Sequence, residues 1–181
     1  MAHYYFKENF FSASKSAIDV FNENDEAVFT LQLFYTSTTQ EAFALFGNSK
    51  QNFEITDGKD SYRIVQERTI SGAFKTPFKT VWQVAKNENP IGTFRSKIAF
   101  KPTLLFEGDK GDTLKFQSGL FSRSVKVTDG KNELMHTKSE RFKLASRHDI
   151  YIGSDIYHPA MLIMLFQAFY EFQEQQRKNS N

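Results

Sequence analysis

The chain has no cysteine, which excludes disulfide staples, a thiolate nucleophile and sulfur-ligated metal centres, and allows a reducing compartment. It also lacks any run of roughly 20 consecutive apolar residues, the length a membrane-spanning helix needs. Met1-Ala-His-Tyr-Tyr-Phe-Lys7 is not a basic segment followed by an apolar one, so no secretory signal is read and a cytoplasmic protein is expected. Catalytic signatures are missing as well. There is no Gly-x-x-x-x-Gly-Lys-Ser/Thr phosphate loop and no Gly-x-Ser-x-Gly elbow, and the Phe11-Ser-Ala-Ser14 segment has no assignable base. His3, His136, His148 and His158 are scattered without metal-ligand spacing. His148 and Asp149 are neighbours on a strand pattern and so point to opposite faces. Gly108-Asp-Lys-Gly-Asp112 carries two aspartates but no terminal glutamate, which makes it a turn rather than a calcium loop. No enzymatic activity, metal or cofactor is therefore expected.

Aromatic side chains are abundant: 20 Phe and 7 Tyr in 181 residues, within an ordinary 40% apolar content. Such a chain can fill one core, and a single domain over residues 1–181 is expected. The only convincing helix runs from about 158 to 177, and for about two turns it is apolar on every side. A helix without a polar face must be enclosed by protein or by lipid. Its unbroken apolar run, Ala160 to Phe166, is too short for lipid, and the end at Gln173-Glu-Gln-Gln-Arg-Lys178 is solvated, so enclosure in protein is predicted. Pro159 suits the first helical turn, with Ser154 or Asp155 placed to close that end.

Everything before the helix reads as strands joined by tight turns. Three hairpin patterns recur: Val20-Phe-Asn-Glu-Asn-Asp-Glu-Ala-Val28, Val84-Ala-Lys-Asn-Glu-Asn-Pro-Ile91 and Val127-Thr-Asp-Gly-Lys-Asn-Glu-Leu134. They hint at internal duplication without a strict period. Further turns are read at Gly47-Asn48, Asp57-Gly-Lys-Asp60 and Gly108–Asp112, giving about ten or twelve strands. Alternation places Phe29, Leu31 and Leu33 on one face, and Phe78, Thr80, Trp82 and Val84 on another. So many hairpins with one helix would leave exposed edges unless the sheet closes. The fold predicted is mainly β: a closed antiparallel barrel of about twelve strands around a hydrophobic C-terminal helix.

Tyr5-Phe-Lys-Glu-Asn-Phe-Phe-Ser12, the Asn- and Glu-containing hairpins, Gly130-Lys-Asn-Glu-Leu-Met-His-Thr-Lys-Ser-Glu-Arg-Phe-Lys-Leu144, His148-Asp-Ile-Tyr-Ile152 and the terminal helix resemble the LURP-one-related group of the tubby C-terminal-like superfamily, which also holds the phospholipid scramblases. The resemblance implies a barrel of about twelve strands threaded by a C-terminal helix, a tubby-like fold. Members of that superfamily bind phosphoinositides through basic side chains on adjacent strands, so the resemblance also implies a search for paired cations.

Net charge is +2 but unevenly spread. Residues 1–60 hold 4 Lys/Arg against 9 Asp/Glu, residues 61–101 hold 8 against 2, and residues 102–181 hold 11 against 10. Within the basic segment, Arg95 and Lys97 stand at i and i+2, hence on one strand face, where they could converge on a phosphate. Lys75, Lys79 and Lys101 lie in the same segment. The competing reading is a solvated strand face with no ligand. A non-catalytic binding module for an anionic lipid head group or phosphate-bearing ligand is expected, at the membrane periphery. The alternatives are a protein-interaction domain with no small ligand and a carrier of an internal apolar ligand, which requires the helix to lie outside the barrel. Nucleic acid is not an expected partner.

Overall fold

The computed structural model describes residues 1–9, 17–36, 52–67, 80–97, 99–119, 122–141 and 145–179. Among these the chain forms twelve strands and one helix. The strands are β1 (Ala2–Asn9), β2 (Ile18–Asn22), β3 (Ala27–Phe34), β4 (Asn52–Thr56), β5 (Ser61–Gln66), β6 (Val81–Lys86), β7 (Asn89–Ser96), β8 (Thr103–Gly108), β9 (Thr113–Ser118), β10 (Val125–Thr128), β11 (Glu133–Arg141) and β12 (Ala145–Ile152). The helix, α1, spans Pro159–Asn179. Each strand pairs antiparallel with its neighbour in sequence, and β1 closes the barrel on β12 over the full register Ala2↔Ile152 to Asn9↔Ala145. Closure leaves no edge strand to pair with another chain.

All five hairpins between even and following odd strands, and the passage from β12 to the helix, lie at one end of the barrel. They include the three recurrent hairpins, which join β2 to β3, β6 to β7 and β10 to β11 and so recur every four strands around the barrel. Asp57 and Asp129 show the local chemistry, since each side-chain Oδ1 accepts two backbone N–H groups of its own turn. In the β6–β7 hairpin Asn87 and Glu88 both have positive φ, 47° and 67°, as a two-residue type I′ turn requires. Close packing fixes Gly92 at φ 153°, because a Cβ there would stand 2.3 Å from the Glu107 carbonyl oxygen. The Gly47-Asn48 turn lies outside the described residues.

The helix starts at this tight end and runs through the barrel to the other. His158 caps it: its carbonyl accepts the Met161 N–H at 3.1 Å, and its Nδ1 accepts the Ala160 N–H at 3.3 Å. Ser154, expected to help close the helix, instead caps its own local turn by accepting the Ile156 N–H; His158 is one residue before Pro159 and its ring reaches the first free N–H. Ala160 through Tyr170 are all buried, so the helix has no exposed face for about three turns. Around it pack the inward residues of the strands, among them Phe6, Val20, Leu31, Ile55, Ile64, Val84, Leu104, Leu114, Val127 and Ile150. An aromatic chain joins wall to helix, with ring centroids 5.8 Å apart for Trp82–Phe94, 5.1 Å for Phe94–Phe116 and 6.4 Å for Phe116–Phe169. The helix fills the interior, which overturns the internal-carrier reading.

Because Leu165 is fully buried between helix and wall, Leu165→Ala should cost about 2–5 kcal/mol and Leu165→Asp should prevent folding, as circular dichroism would report. A stable, soluble Leu165→Asp protein would contradict the placement of the helix. At the β6–β7 turn, Glu88→Gly relieves a left-handed backbone and should raise stability by about 1 kcal/mol in denaturant melts; a loss of stability would refute the type I′ geometry.

Candidate functional site

On β7 the alternation buries Gly92, Phe94 and Ser96 and turns Thr93 and Arg95 outward, with Lys97 following on the same side just past the strand. Register then aligns three outward positions across three strands: Arg95 opposite Leu105 on β8, and Leu105 opposite Lys115 on β9. Lys101 stands exposed in the β7–β8 connection. The structure thus brings Arg95 and Lys97 to one outer face, as their i and i+2 spacing predicts, and places Lys101, which spacing left open, in the connection beyond it. Lys75 and Lys79 lie outside the described residues.

Two features of this face were not read from sequence. Arg95 Nη2 is hydrogen-bonded to Glu107 Oε1, one strand away, so its charge is partly answered within the chain. With the two side chains 44% and 39% exposed, such a pair is worth at most about 1 kcal/mol, and an incoming phosphate can compete for the guanidinium. Lys115 is the other addition. It lies beyond the basic segment in sequence and joins the face only through strand register. No ion pair or side-chain hydrogen bond engages the ammonium groups of Lys97, Lys101 or Lys115 among the described residues. Among the described residues four cations, Arg95, Lys97, Lys101 and Lys115, thus lie along the outer side of β7 to β9 and the connection after β7, with Glu107 beside Arg95. The signal for both additions was the in-out alternation of β8 and β9, where Leu104, Phe106, Leu114 and Phe116 face inward.

A second polar cluster is buried inside the barrel, where the helix turns from apolar to polar. Glu8 of β1 points inward with Phe6 and Tyr4, and Gln167 Nε2 donates to its Oε1 at 2.8 Å. Glu171, one helical turn further on, shares this site; its carboxyl is pushed well above the usual carboxylate range by burial and by the charge of Glu8. Burial likewise raises Glu8, while hydrogen bonds from Glu171 and Gln167 offset part of that rise. Of the two carboxyls the rise is the larger at Glu171, since the hydrogen bond between them raises Glu171 and lowers Glu8. His148 of β12 is fully buried and joined to Ser139 of β11, Nδ1 to Oγ, at 2.8 Å. Its Nε2 faces Glu8 Oε2 at 3.5 Å, too far for a hydrogen bond, and makes no other. Burial holds this imidazole neutral, with its pKa lowered to about 4. Tyr170 packs edge-on against the His148 ring, centroid to centroid 4.5 Å. Arg123, from the β9–β10 connection, lies 3.7 Å from Glu174, and Lys178 of the helix adds a further positive charge felt by Glu171. Among the described residues no three His, Asp or Glu side chains converge to hold a metal ion. The cluster is a proton-binding joint between wall and helix. In sequence its trace was the parity of Glu8 with Phe6 and the interruption of the apolar helix by Gln167.

At the tight end, Gly111, Asp112, Thr113, Asp129, Lys131 and Tyr157 line an open depression. The Tyr157 hydroxyl donates to Asp112 Oδ2 at 2.9 Å, and burial with that bond pushes the phenol up to about 12. Asp129 is engaged by its own turn, so these carboxylates serve the loops.

The two interior titrations act in opposite directions. Glu171 has its folded-state pKa above the unfolded one, so its stabilising contribution is complete in acid and is lost as pH rises through the folded value. His148 has a depressed value: stability is complete above about 6.5 and is lost as pH falls through about 4, by roughly 3 kcal/mol in all. Thermal melts across pH should show that Glu171→Gln flattens the decline on the neutral side and that His148→Gln flattens the decline on the acid side. Curves that superimpose on those of the parent protein would remove the respective assignment.

Compared with known families, the Tubby C-terminal like domain matches residues 4–172 of this chain. Comparison with curated proteins and with solved structures finds no match.

Proposed function

The chain belongs to the tubby C-terminal-like family, and on that premise we propose that it is a non-catalytic binding module of the LURP-one-related branch, acting over residues 1–181 and holding a phosphate-bearing ligand on the outer wall of its barrel. The observation that carries the reading is the group of exposed lysines, Lys97, Lys101 and Lys115, none with a counter-ion among the described residues, beside the solvent-accessible Arg95–Glu107 pair. With the interior occupied by α1, the outer surface is where a ligand of any size finds room. Arg95 supplies planar, two-pronged hydrogen bonding and the lysines supply point charges that adapt to several phosphate positions. A lipid head group and a soluble phosphate ester share the chemistry required.

Titration calorimetry with soluble inositol trisphosphate tests this. Binding should weaken as salt rises, and Arg95→Glu with Lys97→Glu should weaken it by about tenfold or more, since each removed charge-assisted contact is worth on the order of 1 kcal/mol. Glu107→Gln should tighten it by about twofold to fivefold by releasing Arg95. Unchanged binding by the double variant, or none by the parent protein, would remove the proposal; a protein partner whose capture ignores phosphate competitors would then take its place.

A further inference from the structure

Among the described residues only three large apolar side chains stand in water: Met1, Phe100 and Ile156. Met1 begins the chain and Ile156 sits at the tight end of the barrel. Phe100 is the one aromatic of the three, 85% exposed, and it belongs to the β7–β8 connection at the opposite end, between Lys97 and Lys101. The base of that connection is firmly held. The Lys97 N–H donates to the Thr103 carbonyl at 2.9 Å, Thr103 Oγ1 donates to the Lys101 carbonyl at 2.9 Å, and the Ser118 N–H donates to the Pro102 carbonyl at 3.3 Å. The backbone at Lys97 and at Lys101–Thr103, on either side of Phe100, is thus tied down.

The requirements of this tip are mixed. The phenyl ring gains only by leaving water, whereas the ammonium groups four residues apart on either side of the tip gain by meeting anions in a wet environment. A soluble phosphate satisfies the lysines and leaves the ring exposed. The interface of an anionic bilayer satisfies both, since acyl chains begin within several ångströms of the charged head groups. The charge next to the tip complements such a surface: Arg95, Lys97 and Lys101 lie at the end of β7 and in the connection itself, and exposed Lys178 stands where the helix ends, beyond Arg177, whose Nη2 reaches the Ser122 carbonyl of the β9–β10 connection. No helix of the described residues is long and apolar enough to cross a membrane, so contact through a loop tip needs no spanning segment.

We propose that the β7–β8 connection is a membrane-docking tip, with Phe100 entering the acyl boundary of an anionic bilayer while Lys97 and Lys101 engage its head groups. This rests on the phosphate-binding reading above and narrows it: the ligand of the basic face is carried by a membrane.

Co-sedimentation of the full chain with vesicles of phosphatidylcholine alone or with about one-third phosphatidylserine tests the proposal, with inositol trisphosphate binding measured in parallel. The parent protein should bind the anionic vesicles and not the neutral ones. Phe100→Ala should weaken vesicle binding by about tenfold or more while leaving inositol trisphosphate binding unchanged. In Phe100→Trp, emission over the constant background of buried Trp82 should shift to the blue and be quenched by brominated acyl chains. Equal vesicle binding by Phe100→Ala, or a Phe100→Trp side chain that bound vesicles leave unquenched, would overturn insertion and leave the phosphate site standing. Inositol trisphosphate binding without vesicle binding would likewise overturn the bilayer and assign Phe100 to a protein partner. Failure of the parent protein to bind either probe would overturn both readings.

Discussion

An α-helix with no polar stripe cannot rest on a surface; it must be surrounded. That constraint organises this molecule. From Ala160 to Tyr170 every side chain of α1 is buried, and the wall that surrounds it has to satisfy all of its own backbone hydrogen bonds while presenting apolar groups inward. A closed antiparallel sheet does both, because each strand bonds to two neighbours and alternate residues face the axis. The abundance of phenylalanine follows from the geometry. A barrel of twelve strands is wide, and large rings such as Phe94, Phe116 and Phe169 bridge the distance from wall to helix at native packing density.

Filling the barrel has a cost at one place. The helix must become polar before it leaves the interior, and the first polar groups it offers, Gln167 and Glu171, meet Glu8 and His148 while still enclosed. Isolated charges there would be prohibitively expensive. The cluster eases this by holding His148 neutral and by raising both carboxyls above the usual carboxylate range, which disfavours their charged forms. The helix end is tied to the end of β9 and to the β9–β10 connection by Gln173 and Arg177, which donate to Ser118 and Ser122.

With the axis occupied by α1, the surface left to the surroundings is the outer one. The outer wall of β7 to β9 is cationic because its inward positions are committed to Phe94, Leu104, Phe106, Leu114 and Phe116, leaving the outward ones free to vary in charge. Family membership and this wall point to a binding module. Phe100 adds an exposed apolar group beside that cationic face.

The architecture was legible in the sequence because its signals are local. Turn residues at Asp57–Asp60 and Asp129–Asn132, alternation along Phe29–Leu33, and a helix apolar on all sides each dictate their own conformation, and closure follows from having many hairpins and no cover for an edge. The shared side of Arg95 and Lys97 was legible for the same reason, since they stand two apart at the end of β7 and just past it. What the sequence could not supply were pairings between residues distant along the chain. Glu107 beside Arg95, Lys115 in line with it, and Glu8 against Gln167 and Glu171 depend on register and on the rotation of the helix within the barrel. Neither has a local signature, because a shift of one residue in pairing, or a partial turn of α1, would leave every strand and helix intact while changing which charges meet.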